Sequence, residues 1–163
     1  MMCSKRETRI IDGAFQEALK SEIHHQHGAV ITKSGSSKII IRGYNQNRSS
    51  FLGKKRMCTH AEMDVVQKLI KIYFHRNSMK PDKKFRKYIV WVIRLGMDGK
   101  TIKSSIPCDD CLSLLNHLGF KKIGFSDCNG RIQIDTIANL IYKSTDYISV
   151  AHRYLKIICT YYI

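Results

Sequence analysis

Residues 88–96, YIVWVIRLG, constrain the fold more strongly than any other part of the chain. Successive side chains of a β-strand point to opposite faces of a sheet, and here both alternating sets are mostly apolar. Strands that are apolar on both faces are typical of sheets with helices packed on each side. The segment therefore predicts a central strand of an α/β fold, in a sheet that is covered on both faces.

The periodicity of apolar residues predicts helices and strands around this segment. Apolar residues recur every three or four positions over residues 10–19, which predicts a helix. The apolar runs 29–33 and 38–45 flank the small residues SGSS and predict a β-hairpin. Residues 121–127 and 131–137 flank the tight turn CNG, so we predict that the last two strands form an antiparallel hairpin.

Two further helices are predicted to begin next to polar residues. One begins at Thr59 or His60, where Thr59 can act as the N-cap and Glu62 completes a capping box. The other follows Pro107, which suits a first helical turn, and stops at Gly119. Together with the strands, these helices indicate an α/β fold of three layers, an α-β-α sandwich around a mixed sheet.

The length and composition indicate one domain over residues 1–163. Residues 136–163 are ambiguous, and we expect helix for part of them. No apolar run approaches the roughly 20 residues that span a bilayer, and the N-terminus lacks the apolar stretch of a secretory signal. We therefore expect an intracellular protein, cytoplasmic or nuclear, with no membrane partner.

The chain carries a net charge of +15, from 28 Lys and Arg residues against 13 Asp and Glu residues. Such a charge favours polyanionic partners, either phosphorylated substrates or nucleic acid. Residues 54–56 and 80–87 concentrate basic side chains in two predicted loops. These loops are candidates for a surface that binds RNA or single-stranded DNA, and a solvated surface without a specific partner is the alternative.

Cys108 and Cys111 lie three residues apart at the start of a predicted helix, so both sulfurs face the same side. A helix N-terminus favours thiolates, and two thiolates supply half of a tetrahedral zinc site. His60 also lies at a predicted helix start. Because both helices follow strands, their N-termini can meet at one edge of the sheet and bring the three side chains together.

Three protein ligands leave one position open, which is typical of catalytic zinc, whereas structural zinc usually has four. Glu62 lies two residues after His60 and can take a proton from a water in the open position. Two alternatives stay open from the residues alone. Cys58 could complete a closed structural site, and Glu62 could serve only as a helix cap.

The sequence HAE at 60–62 and the sequence PCDDC at 107–111 match the H-x-E…P-C-x-x-C pattern of zinc deaminases. Together with the hairpin HGAVIT…KIIIRGYN, they make about residues 10–135 resemble the cytidine and deoxycytidylate deaminase superfamily. The resemblance implies a mixed five-stranded sheet of the cytidine deaminase type, with residues 136–163 as a C-terminal extension. It also implies a homo-oligomer, a dimer or a tetramer.

The resemblance further implies a zinc-dependent hydrolase with Zn²⁺ as cofactor. The metal ligands that it implies are His60, Cys108 and Cys111. Glu62 would shuttle protons while hydroxide attacks the carbon bearing the exocyclic amine, and ammonia would leave. Asn45 matches the sugar-contacting asparagine of the family, with a turn-forming role as the alternative. The Ala61 backbone and the region of Ala29 would border the base.

Two features point to different branches of this superfamily. A histidine at position 60 is similar to deoxycytidylate, tRNA and polynucleotide deaminases, whereas the antiparallel final hairpin is similar to cytidine deaminases. The interval between His60 and Cys108 is also long, with its surplus around residues 75–88. Our first hypothesis is a deaminase of a cytosine-bearing nucleoside or nucleotide. A base-editing deaminase of RNA or single-stranded DNA and a non-catalytic deaminase-fold binding module are the alternatives.

Overall fold

The computed structural model describes residues 5–47, 50–51, 54–55, 59–75 and 79–144. These residues form four α-helices, a short 3₁₀-helix and eight β-strands. The helices are α1 (Lys5–Ala18), α2 (Ala61–Tyr73), α3 (Asp109–Leu118) and α4 (Ile137–Ser144), and the 3₁₀-helix is Lys83–Lys87. The strands are β1 (His27–Lys33), β2 (Ile39–Tyr44), β3 (Ser50–Phe51), β4 (Lys54–Lys55), β5 (Tyr88–Leu95), β6 (Ile102–Lys103), β7 (Lys122–Ser126) and β8 (Ile132–Thr136).

The strand predicted to be central, β5, lies in the middle of the main sheet. The strand order is β2-β1-β5-β7-β8, and β6 pairs with the end of β5 as a sixth strand. β5 is antiparallel to β1 and parallel to β7, so the sheet is mixed. β7 and β8 pair antiparallel, which confirms the predicted hairpin. The sequence predicts five strands for this sheet and does not predict the sixth, β6, because its two residues are too few to give an alternating pattern.

The two faces of the sheet are covered by different helices. Ala29 and Val92 pack in one buried cluster with residues of α2, α3 and α4. Val30 and Trp91, which point the other way, pack in a second cluster with residues of α1. The three-layer sandwich is therefore confirmed, and the apolar character of both faces of β5 has its expected cause.

The helix α2 begins one residue later than its predicted cap at Thr59 requires, and α3 begins after Pro107, which was predicted to lie in its first turn. The N-cap of α2 is His60, and it makes no side-chain capping hydrogen bond. The predicted capping box is therefore wrong, because Thr59 is held in a β-bridge with Gln46. Cys108 is the N-cap of α3, so Pro107 precedes the helix, and Gly119 ends it with a left-handed φ of 105°.

The ends of the described region differ in how well periodicity predicts them. α1 begins before the predicted residues 10–19, because its first turn is polar and gives no apolar repeat. After β8, α4 packs Ile137 and Leu140 into the cluster shared with α3, which agrees with helix in part of the C-terminal stretch. The assignment of residues 1–163 to one domain stays a prediction. Among the helices of the described residues, none has the length and apolarity to cross a bilayer.

Candidate active site

The candidate site lies at one edge of the sheet, meaning the side where β5 and β7 end and where α2 and α3 begin. After β2, Gln46 exchanges two backbone hydrogen bonds with Thr59 (3.0 and 2.9 Å), which brings the start of α2 to this edge. β7 ends at the same edge, and the carbonyl of Ser126 accepts a hydrogen bond from the Ser105 N–H (2.9 Å). Because Ser105 shortly precedes α3, the N-termini of α2 and α3 meet there.

The three predicted metal ligands are brought together at this meeting point. The ligand atoms of His60, Cys108 and Cys111 all lie within 4.8 Å of one another. The Nδ1 atom of His60 lies 3.3 Å from the Cys111 sulfur and 3.5 Å from the Cys108 sulfur. Tetrahedral zinc with ordinary Zn–N and Zn–S bonds separates a nitrogen from a sulfur by about 3.5 Å. The spacing and the donor set therefore both fit Zn²⁺.

The two cysteines differ in burial and in acidity. Cys111 is fully buried, whereas Cys108 is half-buried. A hydrogen bond from the Cys111 thiol stabilises the Cys108 thiolate and lowers the pKa of Cys108 to about 4. The same hydrogen bond and burial raise the pKa of Cys111. Cys111 thus supports the Cys108 thiolate, and a divalent cation bound by both sulfurs would displace the thiol proton and compensate the second thiolate.

Glu62 lies beside this cluster. Its side chain is almost completely buried, and burial raises the pKa of the Glu62 carboxyl. The charge of His60 and a hydrogen bond with Cys111 act in the opposite direction. The geometry therefore gives the carboxyl a position next to the three ligand atoms.

Asn45 is tied to the backbone of the segment that leads into β1. Its Oδ1 accepts a hydrogen bond from the His27 N–H (2.8 Å), and its Nδ2 donates to the carbonyl of His25 (2.7 Å). The Ser21 hydroxyl donates to the Asn45 carbonyl (2.9 Å). Each half of the amide retains one further hydrogen-bonding position. The structural role is thus evident, and the predicted contact with a sugar stays a prediction.

Ala29 and Ala61, the two residues predicted to border the base, are both fully buried. Both belong to the cluster between the sheet and α2. Ala61 is the first residue of α2, so its N–H is one of the donors that a helix N-terminus leaves without a partner inside the helix. Their surroundings are compatible with the predicted role, which stays a prediction.

Sequence analysis missed Arg94, which lies on the site face of β5. Arg94 is two residues after Val92 in β5, so both side chains point to the face covered by α2 and α3. Its partner across the sheet is His27. Burial lowers the pKa of His27, and the charges of Arg94 and His60 lower it further. The alternation of side chains in the predicted strand was the signal that could have identified Arg94.

Several predicted features lie outside the described residues or away from the site. Cys58, the proposed fourth ligand of a structural zinc site, and the end of the basic stretch 54–56 lie outside the described residues. The basic stretch 80–87 contains the 3₁₀-helix and leads into the start of β5. The candidate site is at the C-terminal end of β5, whereas the basic stretch 80–87 is at its N-terminal end, on the opposite side of the sheet.

Comparisons with known proteins identify a family from the sequence and a similar fold from the structure. The sequence model of the cytidine and deoxycytidylate deaminase zinc-binding region matches residues 4–127. No curated protein sequence matches significantly. A cytidine deaminase from Burkholderia pseudomallei is similar in structure, with a TM-score of 0.58, 16% identity, and coverage of 82% of this chain and 94% of that one. A dCMP deaminase from the cyanophage S-TIM5 has a TM-score of 0.48 and 19% identity, with coverage of 78% of this chain and 86% of that one.

The structural likeness at this identity concerns the fold, whereas the family match concerns the sequence. The matched region contains β1, β2, both helix starts and all three metal-ligand candidates, His60, Cys108 and Cys111. Zinc is the metal of that region, and the donor set described above fits it. The chain therefore belongs to the cytidine and deoxycytidylate deaminase family and carries its zinc-binding region.

Proposed function

We propose that the chain is a zinc-dependent hydrolytic deaminase that acts on a cytosine-bearing nucleoside or nucleotide. The observation that carries this proposal is the arrangement of the site. A group of one imidazole and two thiols fits zinc, and a buried carboxyl lies beside it. Together with the family match, this combination favours hydrolysis over a purely structural site.

In this proposal His60, Cys108 and Cys111 hold the metal. Zn²⁺ bound there supplies Lewis acidity, which activates water near neutral pH. Cys108 and Cys111 come from the first turn of α3, and His60 immediately precedes α2, so the ligands belong to two helix starts. The separation of the ligands in sequence makes the site depend on the correct packing of both helices against the sheet.

Glu62 is proposed to move the protons of the reaction. Its carboxylate oxygen would take one proton from water and pass it to the ring nitrogen next to the amino-bearing carbon. It would then pass the second proton of that water to the exocyclic nitrogen, which leaves as ammonia. A carboxyl with a raised pKa suits this task, because it must be able to gain and lose a proton near the working pH. Overall, one water is consumed, the C–NH₂ group becomes C=O, and one ammonia is released.

We propose that three further residues position the substrate. Asn45 would contact the sugar through the hydrogen-bonding capacity that its backbone contacts leave free. The Ala61 N–H would donate to the base, since it lies at a helix start beside the metal group. The small side chain of Ala29 would leave room for the base next to α2.

The alternative of a deaminase acting on RNA or single-stranded DNA requires a basic path to the site. The basic stretch 80–87 lies at the other end of β5, whose eight residues span about 25 Å. A strand contacting both places would have to run around the helices that cover the sheet. This placement favours the free nucleoside or nucleotide as substrate over a polynucleotide.

A homo-oligomer, dimer or tetramer, is also proposed. β8 is an edge strand, and Ile134 on it is 49% exposed, so this edge offers apolar surface to a second subunit. Light scattering coupled to size-exclusion chromatography measures the assembly directly. A mass equal to one chain at micromolar concentration would contradict this proposal.

The proposed function is tested by a panel of ammonia-release assays with zinc-loaded protein. The compounds are cytidine, deoxycytidine, their 5′-monophosphates, adenosine, guanine and short single strands of RNA and DNA. We expect release from at least one cytosine nucleoside or nucleotide and none from the purines. Release from single strands alone would contradict the proposal, and so would no release from any compound by a protein with stoichiometric zinc.

A further inference from the structure

We propose that a cleft beside the candidate site binds a phosphate monoester, so that the substrate is a nucleotide rather than a nucleoside. This inference rests on the proposed function. The cleft, here called the edge cleft, has a volume of about 600 Å³. The residues of the edge cleft that matter here are His25, Arg94, Asp98, Lys103, Ser104 and Cys128.

The edge cleft is bordered by a basic row of two cations on neighbouring strands. Arg94 on β5 pairs directly with Lys103 on β6. Directly paired side chains on antiparallel strands lie on the same face and about 5 Å apart at Cβ. Like charges in such positions repel one another. An anion between them would offset that repulsion.

The guanidinium of Arg94 is incompletely satisfied within the described residues. Its Nη2 group donates to the Nδ1 atom of His25 (3.1 Å). Its Nε atom is buried and finds no hydrogen-bond partner among the described residues. Guanidinium groups present several donors in one plane and bind phosphate through paired hydrogen bonds. Arg94 is therefore half-buried, positively charged and supplied with a free donor.

The single carboxylate among the described residues of the edge cleft does not neutralise Arg94. Asp98 accepts hydrogen bonds from the hydroxyl and the N–H of Thr101 and from the N–H of Lys100. The hydrogen bond from Thr101 is the main reason that the pKa of Asp98 falls to about 2. Asp98 thus stays ionised and bound within its own turn. The basic row keeps its charge for a ligand.

The edge cleft lies close enough to the metal group for one small molecule to reach both. Ser104 lines the edge cleft, and three residues lie between it and Cys108, so their Cα atoms are at most about 14 Å apart. Asn45, the predicted sugar contact, donates a hydrogen bond to the carbonyl of His25 (2.7 Å), and the ring of His25 accepts one from Arg94 (3.1 Å). A nucleotide can therefore place its phosphate in the edge cleft while its base lies at the metal group.

A monoester suits this arrangement better than the phosphodiester of a strand. A phosphate monoester carries close to two negative charges at neutral pH, which matches a compact group of cations. Binding of a strand requires cations along a path, and the basic stretch 80–87 lies at the opposite edge of the sheet. The compact edge cleft therefore points to a single terminal phosphate.

Calorimetric titration of the zinc-loaded protein tests this inference without relying on turnover. Cytidine, cytidine 5′-monophosphate, inorganic phosphate and a short cytosine-rich single strand are the probes. The variants are Arg94→Gln and Lys103→Ala, and the second keeps the test valid if Arg94→Gln fails to fold, because Lys103 is exposed. The matched control is the double variant Lys83→Ala/Lys84→Ala, which removes two exposed cations from the 3₁₀-helix.

We expect the wild-type protein to bind the monophosphate at least about 10-fold more tightly than cytidine, and inorganic phosphate to compete with it. Each cleft variant should reduce this preference by about 10-fold to 100-fold, and the control should preserve it. Equal binding of nucleoside and nucleotide would overturn the inference. It would also be overturned if the control lost as much affinity as Lys103→Ala, or if the single strand bound more tightly than the monophosphate.

The failure of the proposed function would look different. Binding of the monophosphate that depends on Lys103, with no ammonia released by zinc-loaded protein, would support the edge cleft and contradict the deaminase activity. Ammonia release from cytidine and its monophosphate at equal kcat/KM would support the activity and contradict the edge cleft.

Discussion

Glu62 and Asp64, the two carboxyl groups in the first turn of α2, have different environments. Glu62 lies beside the metal group, and burial raises its pKa. Asp64 is equally buried, but its Oδ2 accepts hydrogen bonds from the Lys68 ammonium (2.6 Å) and the Tyr44 N–H (3.3 Å). One carboxyl is thus available for chemistry, whereas the other attaches α2 to the end of β2.

Asp64→Ala should lower the free energy of unfolding by about 2 kcal/mol, because it leaves the Tyr44 N–H without its acceptor and Lys68 without its ion pair. Urea unfolding followed by circular dichroism measures the change. Asp12→Ala, at an exposed position of α1, is the control and should change stability by less than about 0.5 kcal/mol. Equal stability of the two variants would contradict the attachment assigned to Asp64.

Cys108→Ser should weaken zinc binding by more than about 100-fold, because the loss of a ligand costs more than the loss of a residue that only orients one. Zinc content after dialysis, measured by mass spectrometry, is the readout. Cys128→Ser is the control, since Cys128 is an exposed cysteine that does not belong to the group of candidate metal ligands. Stoichiometric zinc in dialysed Cys108→Ser would remove Cys108 from the proposed ligands.

Elements with a regular apolar pattern were predictable, and those held by single contacts were not. The positions of His60, Cys108 and Cys111 at helix starts were predicted correctly although the capping box was not, and the final hairpin followed from two strand patterns around a turn. Residues 80–87 are predicted to form a loop, because a single aromatic residue among cations gives no apolar periodicity. In the structure Phe85 is fully buried and stacks on Phe74 with ring centroids 4.5 Å apart, which anchors the 3₁₀-helix.

Close packing between adjacent strands limits what β7 can contain. A Cβ atom on Gly124 would lie 2.2 Å from the ring of Trp91 on β5. Gly124→Ala should therefore displace Trp91, strain its hydrogen bond to Thr32, and lower the free energy of unfolding by about 2 kcal/mol.

The chain contains a single tryptophan, so its fluorescence reports this displacement directly. We expect the emission maximum of Gly124→Ala to shift to longer wavelength, with an earlier midpoint in urea. An unchanged emission maximum and an unchanged midpoint together would show that β5 and β7 are not packed as described.

The whole molecule has two different edges. At one edge the starts of α2 and α3, the metal group and the edge cleft lie together. At the other edge the exposed cations of the 3₁₀-helix surround the start of β5. The basic stretch 80–87 can be recognised in the sequence, but its separation from the metal group cannot. That separation depends on strand order and direction, which arise from pairing between distant parts of the chain.

Zinc should stabilise the whole fold, because its proposed ligands come from the starts of two different helices, α2 and α3. With zinc at about 1,000 times its dissociation constant, the stabilisation should be about 4 kcal/mol. Differential scanning calorimetry with and without a chelator measures it, and added zinc should restore the original transition. A transition that is insensitive to the chelator, in protein shown to have lost its zinc, would contradict a link between the two helices.

Glu62 is proposed to move protons at a metal site whose ligands are other residues. The most direct test compares ammonia release and zinc content in Glu62→Gln, which keeps the size of the side chain and removes its acid–base function. We expect stoichiometric zinc and a loss of at least about 100-fold in turnover of the best substrate. Zinc-loaded Glu62→Gln with turnover close to that of the wild-type protein would contradict the proposed mechanism.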